Sequence, residues 1–137
     1  MNVSKLHIQG STETLGTSGN LPTSAIAIPL LPSQGSWVIT GVIQAVRADG
    51  LKGPVTFFPR IAGSCVNGVA TMNTTGMMPI EPADDGAAQG FQPGGPSLVG
   101  ANGQGLQVEI ALQGVAASPG LGICWVWDLD VLIFATP

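Results

Sequence analysis

Alternation of apolar and polar positions divides this chain into a series of strands, and the strongest signal lies at its C-terminal end, Ile123 to Phe134. Successive side chains of a strand point to opposite faces. One face here collects Ile123, Trp125, Trp127, Leu129, Val131 and Ile133, apolar throughout. The other collects Cys124, Val126, Asp128, Asp130, Leu132 and Phe134, apolar at both ends with two carboxylates at its middle. A helix would scatter the aspartates around a cylinder apolar nearly all round. The β-branched and aromatic content also favours a strand. The pattern predicts a long, mostly buried strand for which the rest of the chain supplies partners.

From the N-terminus, Asn2 to Gln9 reads as a short strand, and Gly10 to Thr23, rich in Ser, Thr and Gly, as a loop or extended arm. Ser24 to Leu31 is a strand in which Pro29 removes a ladder donor, placing it at an edge or bulge. Ser36 to Ala48 is a strong strand with Trp37, Ile39, Gly41, Ile43 and Ala45 on one face. Asp49-Gly50 supplies a turn. Gly53 to Ala62 follows, with Pro59 again pointing to a bulge or edge; Gly63-Ser64 breaks it, and Cys65 to Met72 continues as the next strand. These segments read as an antiparallel meander.

The character changes from Thr75 to Gly105, which holds eight Gly and four Pro. A structureless loop of this length is unusual in a compact domain. It therefore contains one or two short strands, near Met77–Ile80 and Ser97–Ala101, or packs on a neighbouring subunit. Alternation returns at Gly105 to Gln113, where Leu106, Val108, Ile110 and Leu112 face one way. Pro119-Gly120 marks the turn into the closing strand. No segment gives an amphipathic helix. The expected fold is all-β: an antiparallel β-sandwich, jelly-roll-like, of about eight strands. Its division is a strand and flexible arm over 1–23, then a sandwich domain over 24–137 carrying the excursion 75–105.

Composition changes the picture in one respect. Charged residues make up 9% of the 137 and hydrophobic ones 45%, against about 25% charged in ordinary soluble domains. Too few polar side chains remain to cover a monomer, so an obligate assembly is expected. The apolar anchors of the Gly/Pro-rich excursion, Met77, Met78, Ile80 and Phe91, are candidates for burial on a neighbour, as are Trp37 and Trp125. The net charge is −4 and the only basic residues are Lys5, Arg47, Lys52 and Arg60; nucleic-acid binding, which needs clustered Lys and Arg, is not expected. Neither is a signal peptide nor a membrane span, since no apolar run is long enough.

Candidate chemistry is sparse. Asp128 and Asp130 fall on one strand face about 6–7 Å apart, a spacing that fits paired acid/base carboxylates or a cation site; the simpler reading is a solvated or interfacial patch. Glu81 with Asp84-Asp85-Gly86 resembles a loose calcium loop without the required spacing, and reads as a solvated turn. His7 is the sole histidine, and no nucleophile elbow accompanies it. Cys65 and Cys124 read as buried, inert thiols, a disulfide being open only if their strands adjoin. No enzyme activity, cofactor or metal is expected.

From Trp37 onward the order of features resembles a β-sandwich domain of tailed-bacteriophage virion proteins, found in tail-fibre-like proteins and in capsid decoration or cement proteins. The residues concerned are Trp37, Ala45, Asp49-Gly50, Phe57-Phe58 with Arg60, and Gly63. Gly105 to Ile110 before Gly114, and Trp125 with Leu129 and Val131, complete the set. The long Gly/Pro excursion and the shortage of surface charge depart from the family's pattern. The resemblance implies a non-enzymatic virion component working as a homotrimer. The first expectation is a capsid cement protein held on the major capsid protein. The alternative is a receptor- or glycan-binding module of a tail fibre; the absence of Tyr and the position of every Trp in a strand pattern favour the structural role.

Overall fold

The structure is a computed structural model, and it describes residues 2–15, 24–28, 34–47, 54–74, 77–80, 91–99, 107–114 and 122–136. All the regular structure among them is strand: β1 (Asn2–Leu15), β2 (Ser24–Ile28), β3 (Gly35–Arg47), β4 (Val55–Val66), β5 (Val69–Thr74), β6 (Met77–Ile80), β7 (Phe91–Val99), β8 (Gln107–Gly114) and β9 (Gly122–Ala135). Every pairing is antiparallel. The larger sheet runs β1-β9-β3-β4-β5, with β6 also on β4, and the smaller runs β2-β8-β7. No helix among the described residues is long and apolar enough to cross a membrane.

The closing strand occupies the place its pattern predicts. β9 lies between β1 and β3, and its apolar face is buried: Ile123, Trp125, Leu129 and Val131 are at most 1% exposed. Its other face is open, with Val126 49% and Leu132 37% exposed, so the strand is buried on one side rather than on most of its surface. The smaller sheet contributes Ile26, Ile28, Val108, Ile110 and Leu112 to the same cluster of buried side chains as the inner face of the larger one.

Three boundaries differ from the sequence reading, each for a physical reason. The polar run from Gly10 to Leu15 is strand, paired with Trp127 back to Gly122. Small side chains suit this stretch because the Trp127 ring lies against Gly10, where a Cβ would sit 2.5 Å from the indole; residues 16–23 of the expected arm lie outside the described residues. Gly63-Ser64 does not break β4. Gly63 gives room to the Trp37 indole, 2.4 Å from a Cβ placed there, and the chain turns instead at Asn67-Gly68, both with positive φ (52° and 79°), as a two-residue hairpin requires. The Asn67 N–H donates to Gln34 Oε1 (2.8 Å), while Gln34 O accepts from the Thr136 N–H (2.9 Å), tying the turn to the end of β9.

Pro59 is interior, not on an edge. Its missing donor falls where the β3–β4 ladder skips from Thr40↔Arg60 to Ile43↔Phe57, opposite Gly41, whose φ of +138° is open only to glycine without strain. In the Gly/Pro-rich excursion, Met77–Ile80 is strand as expected. It continues β5 along β4 in the register that Ala62↔Thr74 begins. β7 is longer than expected and irregular between Pro93 and Pro96, as two prolines on the outermost strand of a described sheet would make it. Pro29 and Asp49-Gly50 lie outside the described residues.

Candidate functional site

Lys5, His7, Asp128 and Asp130 gather on the outer face of the larger sheet, where the first and last strands pair. Lys5, His7 and Gln9 alternate along β1 and so share a face. The register sets His7 opposite Asp130 and Gln9 opposite Asp128. His7 Nδ1 lies 2.9 Å from Asp130 Oδ1 and Nε2 lies 3.0 Å from Asp128 Oδ1. Gln9 Nε2 donates to Asp128 Oδ2 at 3.0 Å, and Lys5 Nζ stands 3.6 Å from Asp130 Oδ2. With a carboxylate on each ring nitrogen, only the imidazolium form donates to both. The hydrogen bond from His7, ahead of a smaller opposing effect of desolvation and then the charge of Lys5, holds the Asp130 carboxyl below its ordinary range.

This arrangement suits ion pairing, not acid catalysis. A general acid needs a carboxyl pushed upward, and Asp130 is shifted the other way. The side chains are open to water: His7 is 51% and Asp128 55% exposed. Among the described residues no group of three His, Cys, Asp or Glu is arranged to hold a metal ion. Asp128 and Asp130 form a hydrogen-bonded, partly solvated patch with His7 and Gln9 of β1. What the sequence reading lacked was the partner, since nothing local ties residue 7 to residue 130. The available signal was complementarity: Lys-x-His-x-Gln in the first strand matches Asp-x-Asp in the last.

Beyond this cluster the outer face is largely apolar. Val3, Val66, Val69, Val126 and Leu132 are the large exposed hydrophobic side chains on it, 37–65% exposed. A shallow groove of about 430 Å³ crosses one end between Glu13, Gln44, Val46, Cys124 and Val126. A smaller hollow of about 140 Å³ continues it past Val42 to Asp128. Gln44 Nε2 donates to Thr56 Oγ1 (3.1 Å) across β3 and β4. Arg60, also on this face and exposed, makes no ion pair among the described residues.

The other candidates separate clearly. Trp37 and Trp125 are 0% and 1% exposed within the single chain, so they are core and leave no area for a neighbour. The backbones of Met77, Met78 and Ile80 pair with β4 and that of Phe91 with β8; their side chains, like the loop of Glu81, Asp84 and Asp85, lie outside what is described. Cys65 faces the core on β4 and Cys124 faces outward on β9 with β3 between, and both are free thiols. Burial pushes the Cys65 thiol up, against a weaker opposing hydrogen bond with Trp37. The buried Trp37 indole N–H makes no hydrogen bond of good geometry, so its contact with the Cys65 sulfur is a weak one.

No family model matches this chain, and no curated protein matches it. Among solved structures, the chain is similar to the tailspike protein of Acinetobacter baumannii phage AM24, with 11% identity and a TM-score of 0.50. The match covers 96% of this chain but 26% of the tailspike, so this chain corresponds to about a quarter of that protein's length. At this identity the likeness is one of fold: an all-β, antiparallel architecture.

Proposed function

We propose that this chain is a structural component of a phage virion, associated with the tail and free of enzymatic activity. The observation that carries the reading is the likeness of nearly the whole chain to part of a tailspike, which agrees with the virion-protein resemblance of the sequence. The fold in this reading is a β-sandwich of jelly-roll type, supported by the core that both sheets share. The partners are further copies of the chain, three about an axis as the resemblance implies, and the virion proteins on which they sit.

A role in glycan capture is less well supported than one in assembly. Sugar-binding faces present exposed aromatic rings, whereas no aromatic is among the large exposed side chains of the described residues. The second reading is a capsid cement protein bound to the major capsid protein, favoured by the low charge and the open apolar face. Copy number decides between them. Quantitative mass spectrometry of purified virions should find this chain at a small fraction of the major capsid protein, in tail-containing fractions. A copy number comparable with the capsid protein would establish cement instead, and absence from the particle would overturn both.

A further inference from the structure

We infer that the outer face of the six-stranded sheet is an interface between two copies of this chain, packed face to face about a two-fold axis running along β3. The inference rests on the assembly half of the reading above and adds the surface and its symmetry.

Area comes first. The sheet is five strands wide, β5 and β6 sharing the last place, and its long strands have 12 to 14 residues. At about 4.8 Å per strand and 3.3 Å per residue, the face spans roughly 1,000 Å². A stable interface takes about 800 Å² from each partner. Five of the six large exposed hydrophobic side chains among the described residues lie on this face, and exposed apolar area gathered on one face of a chain so short of charge calls for cover.

Charge selects the partner. Asp130, Thr40 and Arg60 stand in one row across β9, β3 and β4. The acid and the base are two strands apart, about 10 Å, too far to pair within the chain. A two-fold axis along β3 exchanges the places of β9 and β4. It therefore sets Arg60 of each copy over Asp130 of the other, two ion pairs from one surface, as an isologous contact demands. The Asp130 carboxylate has lone pairs to spare beyond its contacts with His7 and Lys5. The same operation lays Leu132, in the row of Val38, over Ala62, so an apolar row meets an apolar row. A threefold ring built through other surfaces is compatible with this contact, and the two together give six copies with D3 symmetry.

The test uses the whole chain. Sedimentation velocity in the micromolar range should give two copies, or six if the ring also forms. Arg60→Glu should weaken the two-fold contact about tenfold or more, halving the mass at a fixed concentration while leaving the circular dichroism spectrum unchanged. In a Cys124→Ser background, Thr40→Cys sits on the axis and should be joined to its mate by a thiol cross-linker spanning about 10 Å, the spacing of packed sheets. Ser11→Cys, on β1, should not, because its mate lies about 20 Å away across four strand spacings. A monomer or a trimer would overturn the inference. So would an even-numbered oligomer unmoved by Arg60→Glu, or cross-linking at Ser11 but not at Thr40; these last results leave assembly standing and reject only this face.

Discussion

Single side chains explain both what could be read from this sequence and what could not. Trp125 is the clearer case. Its alternation with Ile123, Leu129 and Val131 marked the buried face, and it is 1% exposed; Trp125→Ala should cost roughly 3–5 kcal/mol, visible as a large loss of melting temperature. Gly10 is the opposite case. In the sequence it looks like the start of a loop, because a glycine shows nothing of the ring that will cover it. A Cβ there would meet three atoms of the Trp127 indole within 3 Å, so Gly10→Ala should destabilise by about 1–3 kcal/mol where an exposed loop glycine would tolerate it. His7 shows the same limit for charge: its carboxylates are more than a hundred residues away. Because the Asp130 carboxyl is held below its ordinary range in the folded chain, its contribution to stability is present above the ordinary carboxylate range. That contribution is lost as pH falls through the depressed value. Melting temperature should therefore drop on acidification, and His7→Ala should flatten the drop, since the hydrogen bond from His7 is the chief cause of the shift. The two thiols should also differ. Cys65 is buried with its thiol pushed up, so a thiol reagent should reach it only on unfolding, whereas Cys124, on the outer face, should react once Arg60→Glu has opened that face.

At the scale of elements, strands with a buried face were legible and the devices joining them less so. β3, β8 and β9 declare themselves because one face of each is continuously apolar, and a one-residue slip would turn that face to water. The hairpin between β4 and β5 was misplaced because Gly63 resembles a breaker, while the signal that decides it is Asn67-Gly68 two residues beyond Cys65. Both turn residues have positive φ, a conformation costing an ordinary L-residue roughly 1–2 kcal/mol. Gly68 has open space around it, so Gly68→Val isolates the backbone effect. It should lower stability by about that amount, measured by denaturant titration, without disturbing packing. β5 and β6 present a related problem. They read as separate fragments, yet they continue one line along β4 with a bulge near Asn73, and no local pattern announces that two short runs share a neighbour.

For the whole molecule, the consequential revision concerns the N-terminal stretch. Read from the sequence, residues 1–23 are a short strand followed by a loop or extended arm. In the structure β1 is the outermost strand of the larger sheet and runs the full length of β9, from Asn2↔Ala135 to Leu15↔Gly122. Little of its hold is hydrophobic: Ile8 is partly buried against the core, and Leu6 is 36% exposed. The remainder is the backbone ladder and the cluster of Lys5, His7 and Gln9 on the two aspartates. Removing β1 would leave the ladder groups of β9 unpaired along fourteen residues and strip Asp128 and Asp130 of their side-chain partners. A long, exposed strand edge carrying Trp125, Val126 and Trp127 is a template for pairing with other chains. Deletion of residues 2–15 should therefore move the protein from the soluble to the insoluble fraction on expression. A folded, soluble product with an unchanged melting temperature would show that β9 does not depend on its ladder with β1. The substitution Lys5→Ala with Gln9→Ala supplies the graded version. It keeps the ladder, removes two of the side-chain contacts, and should raise amide exchange along β1 while leaving β3 and β4 protected.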